Sequence, residues 1–235
     1  MLKIENLTKK YGDKVAVNNL SLEINKGEIY GFIGHNGAGK TTTLKCVVGI
    51  SGFDAGKITL NGVSVKESPV EYKKKIAYIP DNPDLYEYMT GIKFLNFISD
   101  IFGIDTNTRK EKIDKLSEQF EIKNDLGKPI STYSHGMKQK LAIIAAWIHS
   151  PEFIIMDEPF VGLDPKAAYI LKGMMREACD NGCAIFFSTH VLEVAEKLCD
   201  KIAIIKKGDL IKSGTMEEVK GDDSLEDVFL EMEEN

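Results

Sequence analysis

Residues Gly34-His35-Asn36-Gly37-Ala38-Gly39-Lys40-Thr41 fit the pattern G-x-x-x-x-G-K-[ST], and they follow directly on an apolar run, Ile29-Tyr30-Gly31-Phe32-Ile33. This constrains the fold strongly, because a buried strand has to hand a glycine-rich turn to the start of a helix, the strand–loop–helix unit of a parallel α/β sheet. In such a loop glycines let backbone N–H groups turn inward on phosphate oxygens. Lys40 brings a point charge to the β- and γ-phosphates, and the hydroxyl of Thr41 is offered to Mg2+ as the helix begins. The candidate nucleotide contacts are therefore Gly34, His35, Asn36, Gly37, Ala38, Gly39, Lys40, Thr41 and Thr42. His35 enters as a member of the loop and, like His149, is given no side-chain role.

The rest of the chain agrees with that unit. Leu2–Leu7 and Val15–Ile24 nearly alternate apolar with polar residues around Gly12-Asp13, which predicts an antiparallel layer before the loop. A helix over Lys40–Val48, a strand over Lys57–Leu60 ending in Asn61-Gly62, and a short strand over Ile76–Ile79 stopped by Pro80 follow. From Asp81 to Ser134 the strand signal vanishes. Ile92, Leu95, Ile98 and Phe102 recur at helical spacing, and a charged helix through Lys112 to Phe120 follows, so this part reads as a helical insertion. Strand and helix then alternate again: Phe153–Met156, Lys166–Cys179, Ala184–Phe187, Val191–Leu198 and Ile202–Ile205. Lys207-Gly208-Asp209 reads as a hairpin turn. The expected division is a core with its β layer over about 1–80 and 151–220, a helical subdomain over about 81–150, and an acidic tail over 221–235.

Composition narrows the partners. At 235 residues, 43% hydrophobic and with net charge −6, the chain is an ordinary globular protein without the basic face that long nucleic-acid contacts require. The longest apolar run, Leu141–Ile148, is far short of the ~20 residues of a membrane span, so a soluble, cytoplasmic protein is expected. Cys46, Cys179, Cys183 and Cys199 form no C-x-x-C pair and read as reduced, packed residues.

The apolar run Phe153-Ile154-Ile155-Met156 ends in Asp157-Glu158, which sets two carboxylates at the C-terminal tip of a buried parallel strand, where α/β sheets bind ligands. With a phosphate loop nearby, Asp157 is expected on Mg2+ through its water shell, and Glu158 as the base that polarises the attacking water.

Here the chain resembles the nucleotide-binding subunits of ATP-binding-cassette (ABC) transporters, over nearly its whole length from Leu2 to Lys212. The motif order carries the resemblance: Tyr133-Ser134-His135-Gly136-Met137-Lys138-Gln139 stands where the family has its L-S-G-G-Q signature, Gly162-Leu163-Asp164 is the D-loop, and Ser188-Thr189-His190 ends in the switch histidine. Tyr11 stands where an aromatic ring stacks on adenine. The resemblance implies a P-loop NTPase (RecA-like) core with an N-terminal antiparallel β layer and a helical subdomain insertion. It also implies ATP and Mg2+ as cofactors and an ATPase with Glu158, His190 and Lys40 catalytic. Tyr11, Ser134, Gly136 and Asp164 would join the loop in binding nucleotide, and Thr41, Asp157 and Asp81 would face the metal. Ser134 also reads as the N-cap of a helix whose positive end, in that family, faces the γ-phosphate of ATP on a second subunit. The implied partners are thus a second ATP-binding subunit in an ATP sandwich and an integral membrane permease, with no nucleic acid. A soluble ABC ATPase acting on ribosomes or DNA is the alternative.

The sequence departs from the family pattern in three places. His135 and Met137 replace a signature glycine and glutamine, and their roles stay open. The S-x-G-M-K-Q form and the Leu225–Leu230 tail look like the drug, antibiotic and sodium export (ABC-2 type) branch. Asp81 stands where the family has its Q-loop glutamine, either as a metal ligand or as a loop residue joining the core to the helical insertion. Val161 precedes Gly162 where many members have serine.

Overall fold

The computed structural model describes residues 1–221 and 223–234, with side chains to residue 231. Asp222 and Asn235, both in the expected acidic tail, lie outside the described residues. The chain opens with a hairpin, β1 (Leu2–Tyr11) and β2 (Lys14–Ile24), followed by β3 (Ile29–Ile33) and α1 (Lys40–Val47). Next come β4 (Ala55–Leu60), β5 (Val63–Ser64), α2 (Pro69–Lys74) and β6 (Ile76–Ile79). The helical stretch holds α3 (Gly91–Ile101), α4 (Thr106–Gln119) and α5 (His135–Ile148). The chain closes with β7 (Phe153–Asp157), α6 (Pro165–Asp180), β8 (Ala184–Thr189), α7 (Leu192–Leu198), β9 (Lys201–Lys206), β10 (Asp209–Thr215), α8 (Met216–Lys220) and α9 (Leu225–Glu234).

Among the described residues two sheets form. One is antiparallel in the order β2-β1-β4-β5, and the other runs β10-β9-β3-β8-β7-β6. In the second sheet every neighbouring pair is parallel except the β9–β10 hairpin. Its central strands β3, β7 and β8 read as nearly unbroken apolar runs because both faces are covered there, whereas the edge strand β10 is largely exposed. Tyr30, Phe32, Phe153, Ile155 and Phe186 enter the core shared with α1 and the antiparallel sheet, while Ile29, Ile33, Ile154, Met156, Ile185 and Phe187 enter the core shared with the helices. The second sheet therefore forms the middle layer, and α1, which follows the phosphate loop, is held between the two sheets.

Caps set where the helices begin. Thr90, Asp105, Ser134 and Asp164 each accept a hydrogen bond from a backbone N–H of the first turn, opening α3, α4, α5 and α6. β1 extends past Leu7, where its alternation stops, to Tyr11, because three register shifts against β2 disturb the pattern that would mark the rest. The basic run Lys73-Lys74-Lys75 closes α2, with Pro69 in the first turn of that helix. All four cysteines are free and buried, as expected. No described helix is long and apolar enough to cross a membrane.

Candidate nucleotide site

β3 is flanked by β8 and β9, so the loop that leaves its tip emerges in the middle of the parallel sheet, beside the tips of β7 and β8. Gly39, the last residue before α1, has φ +112, and a Cβ there would lie 2.5 Å from the carbonyl oxygen of Ala16 in β2. Only glycine meets both demands, so the last glycine of the loop is fixed by the antiparallel layer as well as by any ligand. Gly34 and Ala38 are buried beneath the loop, whereas His35, Asn36 and Gly37 are exposed. Lys40 is 6% exposed; its ammonium donates to the carbonyls of Gly34 and, at 3.3 Å, His35, and lies 3.6 Å from Glu158 Oε1. Burial lowers the Lys40 pKa, and the Glu158 and Asp157 carboxylates work against that shift.

The carboxylate pair is set by strand register. Asp157 pairs with Ser188 across β7 and β8, and the Ser188 hydroxyl donates to Asp157 Oδ1, so this 2% exposed carboxyl is oriented from the neighbouring strand. Just beyond, Glu158 takes φ +48, a left-handed conformation that costs a non-glycine residue on the order of 1–2 kcal/mol. Its N–H donates to Ser188 Oγ at 3.2 Å. The turn places the 12% exposed Glu158 side chain between Lys40 and the His190 ring, with Oε1 3.6 Å from Lys40 Nζ and 2.9 Å from His190 Nδ1. That oxygen is fully buried and makes no hydrogen bond of good geometry. A carboxylate held this way, in a strained turn and between an amine and an imidazole, has its position fixed at the wall of the cleft.

An open cleft of about 590 Å3 is lined by Tyr11, His35, Asn36, Gly37, Gly39, Lys40, Thr41, Thr42, Asp81, Asp157 and Glu158. The motif residues thus converge from β1, the phosphate loop, β7 and the loop after β6. Tyr11 is 52% exposed at the hairpin end, with Lys9 Nζ 4.8 Å from its ring centroid. Lys14, Val15, Ala16 and Lys207 also line the cleft. Lys207, in the turn between β9 and β10, becomes a wall of the cleft through the bond its neighbour Gly208 donates to the Ala38 carbonyl, 2.8 Å, which no local pattern announces.

Ser134, Gly136 and Asp164 are not among the residues lining this cleft. They cluster instead at the start of α5. Ser134 Oγ accepts from Met137 N–H at 3.3 Å, His135 packs on Gly162, and a Cβ on Gly136 would lie 2.6 Å from the Gly162 carbonyl. Asp164 caps α6 through Ala167 N–H and pairs with Lys140 at 2.6 Å, which holds its carboxyl below the usual range. Buried Gln139 donates to the carbonyl of Pro159, directly after Glu158, at 3.4 Å. Ser188, Gln139 and Lys140 therefore brace the site. In the sequence Ser188 and Gln139 carry one signal, their place inside the Ser188-Thr189-His190 and Ser134–Gln139 motifs, and Lys140 carries none.

The chain is similar to known proteins over most of its length. A model described as "ABC transporter" matches residues 17–161. The ABC-type transporter ATP-binding protein EcsA of Bacillus subtilis is 35% identical, covering 99% of this chain and 96% of its own. A Nod factor export ATP-binding protein I of Burkholderia orbicola is 35% identical over 89% of this chain and 69% of its own. A solved ATP-binding subunit of an ABC transporter superposes with TM-score 0.95 at 32% identity, covering 99% of each chain.

Proposed function

The chain belongs to the ABC transporter family as an ATP-binding subunit with ATPase activity, and from that premise we propose that it drives a separate membrane-spanning permease, in the export direction, as one of two cassettes closing on ATP. The observation that carries this reading is the division of the site. The phosphate loop, Asp157 and Glu158 line one cleft, while Ser134 and Gly136, which the family uses on γ-phosphate, lie outside it. A second copy or a close relative would bring its own Ser134 helix end to the cleft, where N–H groups and the helix dipole favour an anion. Binding energy at that shared ligand would hold the pair together, and hydrolysis would release it. Export is supported by the S-x-G-M-K-Q signature form, and one relative is named for Nod factor export. The permease would place this subunit on the cytoplasmic face of the membrane.

Within the cleft Tyr11 would stack on adenine and the loop N–H groups would bind phosphates. Lys40 would offset charge on the β- and γ-phosphates, Glu158 would accept the proton of the attacking water, and His190 would hold Glu158 in place and contact γ-phosphate. Among the described residues no group of three or more His, Cys, Asp or Glu could hold a metal alone. The hard oxygens of Thr41 and Asp157, with Asp81 at the rim, suit Mg2+ that shares its coordination with substrate phosphates. Bound there, Mg2+ would neutralise phosphate charge. The core (1–80, 151–220) and helical subdomain (81–150) would carry the two halves of the site.

The test is light scattering and phosphate release on Glu158→Gln. Turnover should fall by roughly 100- to 10,000-fold, and the mass should shift from monomer to dimer only with Mg-ATP. A variant that hydrolyses ATP at the parent rate rejects Glu158 as the base.

A further inference from the structure

The cleft also meets an element that the proposed chemistry leaves unused. α9 starts on a reciprocal cap, in which Ser224 Oγ accepts from Asp227 N–H at 3.1 Å while Asp227 Oδ2 accepts from Ser224 N–H at 3.4 Å. The cap turns Leu225, Val228 and Phe229 into the core beside Ala195 and Leu198 of α7 and Val219 of α8. An ion pair between Lys220 and Glu196 ties α8 to α7. Sealing that core accounts for Leu225 and Val228. Phe229, 9% exposed, does more: its ring centroid lies 4.8 Å from that of His35 in the phosphate loop, at 60°.

From this contact two short paths lead into the site. The His35 carbonyl accepts from Lys40 Nζ at 3.3 Å and from Ala38 N–H at 3.1 Å. On the other side, α7 begins two residues after His190, which lies 2.9 Å from Glu158. One helix thus touches the phosphate loop through His35 and packs on α7, the helix that follows His190 in the chain. We propose that α9 is a positioning element of the ATP site and that Phe229, through His35, holds the phosphate loop in its nucleotide-binding shape. The inference rests on reading the cleft as the ATP site and adds a residue, remote in sequence from every motif, that sets ATP affinity.

The test is a double-mutant cycle on the full chain, with the dissociation constant for Mg-ATP measured by calorimetry and melting temperature recorded for each variant. Phe229→Ala should weaken ATP binding by roughly three- to tenfold, the range of an aromatic contact, and Phe229→Tyr should restore it. In a His35→Ala background the Phe229→Ala effect should shrink to less than about twofold, because the shared contact is already gone. Leu230→Ala, at a position 56% exposed on the same helix, should bind like the parent. Parent-like affinity in Phe229→Ala, even with a lower melting temperature, overturns the proposal, as does an equal loss with and without His35. Should Phe229→Ala not fold, Phe229→Leu takes its place in the same cycle, with the same outcomes decisive. A parent chain with no affinity for ATP would overturn the reading of the cleft itself, and this inference with it.

Discussion

Replacing Gly136 by alanine separates stability from chemistry. Gly136 lies in the first turn of α5, and its ideal Cβ would stand 2.6 Å from the Gly162 carbonyl oxygen. Ordinary contact begins at 3.4 Å, so one of the two backbones has to give by 3.4 − 2.6, or 0.8 Å. The D-loop cannot yield alone: Val161 N–H is bonded to the Glu158 carbonyl at 3.1 Å, Leu163 N–H to that of Phe160 at 3.3 Å, and Asp164 to Lys140 at 2.6 Å. Helix propensity favours alanine by about 0.5–1 kcal/mol, and overpacking opposes it by about 1–3 kcal/mol. The net loss is therefore at most about 2.5 kcal/mol, a drop in melting temperature below roughly 10 °C for a chain of this size. The displacement, however, runs back along the loop to Glu158, where a misplacement near 1 Å costs on the order of 100-fold in rate. Steady-state phosphate release should thus fall about 10- to 100-fold in a variant that still melts cooperatively. Gly127→Ala, whose Cβ meets nothing within 4 Å, is the control. A Gly136→Ala protein that turns over at the parent rate would refute the idea that the α5 start and the D-loop move as one body.

Two further changes test the frame around the site. Gly173 sits in the middle of α6 with open space where a Cβ would go, so Gly173→Ala should stabilise the fold by about 0.5–1 kcal/mol and raise the melting temperature by roughly 1–4 °C; a lower melting temperature would contradict the packing described. His149 stacks on Phe102 at 3.7 Å and bonds the Ile76 carbonyl at 3.2 Å; burial holds its pKa below the ordinary 6.5, against the backbone hydrogen bonds at Ile76 and Ala145 that work the other way, and the charge of Lys112 adds a smaller push down. The unfolded chain therefore takes up that proton before the folded chain does, and stability is lost as pH falls from 6.5 through the lowered folded value. Melting curves between pH 7.5 and 5 should show this decline in the parent and a shallower one in His149→Gln; identical slopes would exclude His149 as a source of acid sensitivity.

What the sequence disclosed follows from the range over which each feature is determined. Phe153–Met156 and Ala184–Phe187 announced buried parallel strands because both faces of that sheet are covered, which makes burial visible as an uninterrupted apolar run. Lys40, Thr41, Asp157 and Glu158 were legible for a related reason: a phosphate loop and a charged strand end are local arrangements, written in consecutive residues. The parts that aim those residues are set by register between distant segments. Ser188 reaches Asp157 because β8 pairs beside β7, Lys140 reaches Asp164 because α5 packs next to the D-loop, and Phe229 reaches His35 because α9 folds back across α7. None of these pairs has a spacing rule. The left-handed turn at Glu158 is the sharpest case, since glutamate carries no preference for φ +48 and only the surrounding bonds, such as that of its N–H to Ser188, impose it. Motifs accordingly name the groups that line the cleft. The strain and bracing that give those groups their geometry are visible only once the chain is closed, which is why substitutions at Gly136 and Phe229 test the mechanism more sharply than another change in the phosphate loop.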